Sequence, residues 1–196
     1  HGGAKSIKKI QQEKLYDDRK VKYMQEKEHI AKIAASYIQD GETVFIAPGT
    51  TTERIPEFIK AKNVTVVTNS YSVMVKYSHL DLDFIVTGGR LRRKTEAIIP
   101  DYFLDSISKI NVDKCFIGAN GISENKITIS NYDEGLIQKM ILDNAKENYL
   151  LIDSSKFGKE ALYTFAKTDE LTGIITDKKL DTEILKEYRK RVKIIN

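Results

Sequence analysis

The 196-residue chain has a single cysteine, Cys115, so no internal disulfide can form, and this usage fits a reducing compartment. Cys115 sits in the apolar run VDKCFIG, where it reads as a small buried hydrophobe and not a nucleophile. No stretch approaches the roughly 18 apolar residues of a membrane helix. The start, HGGAKSIKKI, is basic but lacks the apolar core of a secretory signal, so the expectation is a cytoplasmic protein with no membrane partner. Histidine is scarce: His1, His29 and His79 fall in an arm, on a helix face and in a loop, and no Ser/His/Asp or Cys/His set can be assembled from them. Zinc-finger spacing, RNA-recognition aromatic pairs, internal repeats and low-complexity tracts are also missing. With 41% hydrophobic and 31% charged residues, what remains is an ordinary globular composition.

Charge is unevenly placed along the chain. Residues 1–32 carry nine Lys/Arg against five Asp/Glu, and residues 178–196 carry seven against three, leaving the middle slightly acidic. A solvated charged face explains such ends as well as a nearby polyanion does. Residues 1–25 are polar and poorly periodic and read as an arm or linker, with the body running over 26–196. Ile30, Ile33, Ala34, Tyr37 and Ile38 then fall on one helical face, and Asp40-Gly41 ends that helix.

After Gly41, β-rich runs alternate with segments of helical length. The runs are Thr43–Ala47, Val64–Thr68, Phe84–Thr87, Val112–Gly118, Tyr149–Asp153, Gly173–Thr176 and Val192–Ile195. The helical segments are Thr52–Lys60, Ser70–Ser78, Asp101–Lys109, Glu134–Lys146 and Thr182–Arg191. Nearly continuous apolar strands separated by helices predict an α/β domain: a mainly parallel, doubly wound, Rossmann-like sheet of about six or seven strands with helices on both faces.

Ligands of such sheets sit beyond the carboxyl ends of the strands. The first strand ends in Pro48-Gly49-Thr50-Thr51-Thr52, where glycine permits a tight turn and threonine supplies hydroxyls at a helix start, the outline of an anion cradle. Later strands end in Thr68-Asn69-Ser70, Thr87-Gly88-Gly89-Arg90, Gly118-Ala119-Asn120-Gly121 and Asp153-Ser154-Ser155-Lys156. Five strand ends of one polar, glycine-rich composition converge on one binding crevice. Asp153 and Lys156 suit a polyhydroxylated phosphate ester, the carboxylate accepting from hydroxyls and the ammonium facing phosphate. Glu134 opens a helix after Asn131-Tyr132-Asp133, where an acid is favoured by the dipole alone. A carboxylate-only isomerase built on Glu134, Asp133 or Asp153 stays open as an alternative.

The motifs HGGA, EKEHIAKIAASYIQDGETVFIAPGTTTE, VTVVTNS, IVTGGRLRRKTEA, VDKCFIGANGI and YLLIDSSKFGK followed by ITD, in that order and spacing, resemble the ligand-sensing domain of DeoR-family repressors of sugar metabolism. The resemblance implies a fold shared with ribose-5-phosphate isomerase and a phosphorylated sugar as effector, with tagatose 6-phosphate and fructose phosphates as candidates. It implies no cofactor, no metal and no catalytic residue. It places Gly49, Thr50, Thr51 and Thr52 at the phosphate, with Asn69, Ser70, Gly88 and Gly89 around the sugar and Asp153 and Lys156 as the effector-responsive pair; Asn120 and Glu134 complete the expected effector-binding set. Asn120 and Gly121 stand where the isomerases carry acidic residues. The resemblance further implies a winged helix-turn-helix ahead of HGGA that reads operator DNA, and a homo-oligomer matching paired half-sites. A sugar-phosphate isomerase or deaminase and a purely structural oligomerisation domain are the competing expectations. Pro100, in TEAIIPDY, stands where many members have glycine and is expected to reshape that loop.

Overall fold

Apolar runs bounded by turn residues become strands when both faces of the sheet are to be covered, and seven of them do so here. The computed structural model describes residues 13–101 and 104–196; HGGA and the remainder of residues 1–12, together with residues 102 and 103, lie outside the described residues. In chain order the first elements are α1 (Tyr16–Lys20), α2 (Met24–Ser36), β1 (Thr43–Ile46), a 3-10 helix over Thr52–Phe58, β2 (Thr65–Thr68), α3 (Tyr71–Tyr77) and β3 (Asp83–Val86). There follow β4 (Arg90–Arg92), β5 (Ala97–Ile99), α4 (Leu104–Ile107), β6 (Val112–Ile117), β7 (Gly121–Ser123), β8 (Lys126–Ile129) and α5 (Tyr132–Asp143). The chain closes with β9 (Ala145–Leu151), a 3-10 turn over Ser154–Lys156, β10 (Tyr163–Lys167), a 3-10 turn over Thr168–Glu170, β11 (Gly173–Ile175), α6 (Thr182–Arg189) and β12 (Ile194–Ile195).

One seven-stranded sheet, in the order β12-β11-β9-β6-β1-β2-β3, is parallel at every pairing. Side chains alternate across it, as a period of two requires. Val44 and Ile46 of β1 pack with Ile30, Ala31, Ala34, Ile55 and Val73 on one face. Phe45 and Ala47 pack with Ile137, Ile141 and Leu142 of α5 on the other. Phe45 and Phe116 are wholly buried, and burying each such side chain is worth about 1.5–3 kcal/mol. Helices therefore cover both faces, and the seven strands are the seven runs legible in the sequence.

Other elements differ from expectation. Two small antiparallel sheets, β4-β5 and β10-β8-β7, accompany the main one; their strands are short and mixed in polarity, which hides them among loops. Strand β9 begins at Ala145, taking residues expected to end a helix. The helix expected over Thr52–Lys60 is a 3-10 helix with Pro56 inside it, because proline removes the donor that an α-helical bond would need. Pro100 follows β5 at the base of the β4-β5 hairpin and packs against Gly89. The described part of the expected arm, 13–25, lies against the body, with Tyr16 only 5% exposed. Among the described residues no helix is long and apolar enough to cross a membrane.

Candidate functional site

From β1 the chain winds outward through β2 and β3, then returns to β6 on the other side of β1 and winds outward again through β9, β11 and β12. The reversal falls between β1 and β6, and this is the place where an open parallel sheet leaves a crevice. A cleft of about 170 Å³ lies there, lined by Gly49–Thr52 after β1, Gly118–Asn120 after β6, and Asp153, Ser155 and Lys156 after β9.

Eight of the twelve residues proposed from the sequence line this cleft: Gly49, Thr50, Thr51, Thr52, Asn120, Glu134, Asp153 and Lys156. Thr52 turns its hydroxyl to the Gly49 carbonyl at 3.1 Å, fixing the loop. Asn120 accepts at Oδ1 from the Ser130 N–H at 2.9 Å. Asp153 caps the short turn that carries Lys156, accepting from the Ser155 N–H at 3.1 Å and from the Ser155 hydroxyl. Glu134 receives its own cap from Asn131 Oδ1 at 3.1 Å, as the first turn of α5 demands.

The other four do not line the cleft. Asn69 donates from Nδ2 to the Ile98 carbonyl at 3.1 Å, joining β2 to the β5 edge. Ser70 accepts from the Val73 N–H at 3.2 Å and is the N-cap of α3. Gly88 precedes Gly89 in the turn out of β3. At Gly89 φ is +146° and a Cβ would meet the Ile99 carbonyl oxygen at 2.1 Å, so glycine is required there by the close approach of β5. The same hydroxyl, amide and glycine chemistry that builds ligand loops is spent here on caps and hairpins.

The strongest charges in the cleft come from the stretch before β1. Lys14, Arg19, Lys22 and Lys27 line it together with Lys156 and Lys159, six cations against the carboxylates of Glu134 and Asp153. Lys27 was not singled out from the sequence, although a signal was there: it shares a face of α2 with Ile30, Ala31 and Ala34, a charge set into an apolar stripe. Arg19 had no such signal. Lys27 is 4% exposed and donates to the Arg19 carbonyl oxygen. Burial pulls the Lys27 ammonium down to about 8, the nearby Asp153 opposing and Lys156 and Arg19 reinforcing the shift. Lys156 is lowered too, by burial first, with Asp153 opposing and Arg19 adding to it. Burial likewise lowers Arg19, against the fields of Glu134 and Glu13. Nε and Nη2 of Arg19 and the Ser130 hydroxyl are buried with no hydrogen-bond partner among the described residues.

Glu134 also lines the cleft. Its Oε1 accepts from the Thr95 hydroxyl and from Arg92 Nη1, the latter at 3.1 Å. Burial still raises its carboxyl, outweighing the Thr95 bond and Arg92. Such a cleft has the chemistry to receive an anion carrying hydroxyl groups: cations, among them a guanidinium with two buried nitrogens lacking an acceptor among the described residues, beside hydroxyl and carboxylate groups. Among the described residues no group of three or more His, Cys, Asp or Glu is placed to hold a metal ion.

Comparison with known proteins bears on the family and the fold. The lactose phosphotransferase system repressor of Staphylococcus epidermidis is 32% identical over 200 residues, covering 100% of this chain and 79% of that protein. The protein of the same name from Streptococcus mutans is 34% identical with the same coverage. A D-ribose-5-phosphate isomerase structure in complex with phospho-erythronic acid superposes with a TM-score of 0.50 at 18% identity, over 67% of this chain and 52% of that one. The eIF2B beta structure from Chaetomium thermophilum gives 0.56 at 16% identity, over 87% of this chain and 54% of that one. At that identity these two speak for the fold alone. The family model described as the DeoR C terminal sensor domain matches residues 22–178, and the chain belongs to that family.

Proposed function

We propose that this domain senses a phosphorylated sugar in the cleft between β1 and β6, and that occupancy alters how an N-terminal winged helix-turn-helix engages operator DNA. One observation carries the reading: Arg19, Lys27 and Lys156 converge on the cleft, and the Arg19 guanidinium has two buried nitrogens without an acceptor among the described residues. A dianionic phosphate supplies the missing acceptors and offsets the mutual repulsion of the cations. Asp153 and Asn120 accept and donate at the sugar end. The seven-residue 3-10 helix after Gly49 has little dipole, so side-chain charge outweighs helix geometry here. The repressor names of the relatives fit a regulator of carbohydrate use, with paired half-sites read by a homo-oligomer. Ligand must favour one arrangement of the chain over another, since equal affinity for both would switch nothing.

An isomerase or deaminase using Glu134 as base is the weaker reading, because Glu134 Oε1 is already held by Thr95 and Arg92. Calorimetry against tagatose 6-phosphate, fructose 1-phosphate, fructose 6-phosphate and the unphosphorylated sugars tests the proposal. Binding of a phosphorylated sugar, lost in Lys156→Ala, is the expected result. Failure of every sugar phosphate to bind overturns it, and steady turnover followed by proton NMR makes the protein an enzyme.

A further inference from the structure

The stretch before α2 is a strap folded back over the cleft. Tyr23 takes left-handed backbone, φ 54° and ψ 41°, where α1 turns into α2, and the reversal lays residues 13–22 along the rim. Two fasteners hold the strap to the body. Glu13 pairs with Arg92 through two bonds of 2.7 and 2.8 Å and with Lys94 at 3.0 Å. Tyr16 donates its N–H to the Lys94 carbonyl at 3.0 Å, gives its hydroxyl hydrogen to buried Glu53, and accepts from Lys76 Nζ at 2.9 Å. Glu13 and Tyr16 do not line the cleft, whereas Lys14, Arg19 and Lys22 of the same strap do. The family model begins at residue 22, so nearly all of the strap lies ahead of the matched region.

We propose that Tyr16 is a positioning residue of the ligand site: it fastens the strap that presents Arg19, so that docking of the strap and binding of an anion in the cleft are one linked equilibrium. The inference rests on the reading of the cleft as a phosphorylated-ligand site. Docking brings the Arg19 guanidinium beside Lys27 and Lys156, which costs desolvation and repulsion. The Tyr16 and Glu13 contacts oppose that cost in the empty protein, and a bound anion removes it. Linkage is reciprocal: the factor by which ligand favours the docked strap equals the factor by which docking tightens the ligand. The strap is also the stretch that would join an N-terminal DNA reader to the cleft, so its docking is a change the reader can feel.

The test uses the full chain, with tagatose 6-phosphate, fructose 6-phosphate and inorganic phosphate as probes. Hydrogen exchange is followed over residues 14–23 and, as a control, over β1 and β6, alongside calorimetric affinity. Tyr16→Phe is expected to speed exchange in the strap alone and to weaken sugar-phosphate binding about fivefold or more. In an Arg19→Ala background the same substitution is expected to cost clearly less affinity, because the strap's buried cation is already gone and only Lys14 and Lys22 remain on it; a merely structural role would weaken both alike. A freed strap with unaltered affinity, or an equal loss in the Arg19→Ala background, overturns the inference while leaving the proposed function standing. Unchanged strap exchange in Tyr16→Phe and also in Tyr16→Ala overturns it too. If the unaltered protein binds none of the probes, the ligand reading and this inference fall together.

Discussion

Arg92 and Glu134 meet at 3.1 Å on the wall of the cleft, and Arg92 simultaneously grips Glu13 of the strap. One guanidinium thus ties the N-terminal segment to the first turn of α5. Glu134 still has a raised carboxyl, because burial exceeds what Thr95 and Arg92 return. A carboxyl raised on folding contributes stability that is present below its unfolded value, near about 4.3, and is lost as pH climbs through the folded value. Glu134→Gln cannot titrate there. The stability difference between variant and parent is therefore expected to move in favour of the variant as pH rises from 4.3 toward neutrality. Urea unfolding of both proteins across that range checks it, and a difference moving the other way would show that Arg92 wins over burial.

Lys27 makes a pH prediction of opposite sign for ligand. In the empty cleft its ammonium sits at about 8, so near that pH part of the protein holds it neutral. An anionic ligand favours the charged form and raises its pKa. Binding then takes up a proton above pH 8, and affinity falls as pH increases. Calorimetry in buffers of differing ionisation enthalpy is expected to show uptake at pH 8.5 and little at pH 6.5. Lys27→Met should abolish the uptake and weaken sugar-phosphate binding about tenfold or more. Equal proton uptake in the variant would assign the titration to another group.

The parallel sheet was legible because burial on both faces leaves an unbroken apolar run, as in Val44–Ala47, where alternate residues serve opposite cores. Gly49–Thr52, Asp153 and Lys156 were legible because strand ends of a doubly wound sheet point at one crevice. Asn69 and Ser70 have the same composition at the end of β2, but β2 lies away from the reversal and its loop caps α3 instead. Arg19 escaped detection for a different reason. A charged, aperiodic strap resembles a solvated linker until Tyr16 is seen packed against Glu53, a contact 37 residues away in sequence.

Gly121 opens β7 with almost no room for a side chain: a Cβ there would lie 2.3 Å from the Lys159 carbonyl oxygen. The loop it presses on carries Lys159 at the cleft and lies just beyond Lys156. Gly121→Ala should cost about 1–3 kcal/mol through overpacking and should weaken sugar-phosphate binding by displacing that loop. Unfolding and calorimetry on the same sample check both, and a stable variant with intact affinity would mean the loop yields freely.

Under the proposed reading, Asp153 is expected to separate recognition of the sugar from recognition of the phosphate. It is 2% exposed, and its Oδ1 is committed to Ser155 as the cap of the turn bearing Lys156. Asparagine keeps a carbonyl oxygen for that cap but removes the negative charge beside Lys27 and Lys156, both of which feel it. Inorganic phosphate, which has no sugar hydroxyls to donate, should therefore bind Asp153→Asn as well as or better than the parent. A sugar phosphate loses a charged acceptor for its hydroxyls, a change worth about 1.5–3 kcal/mol, and should bind more weakly. The two ligands are expected to move in opposite directions in competition calorimetry. If both weaken equally, Asp153 serves only to hold Lys156 in place.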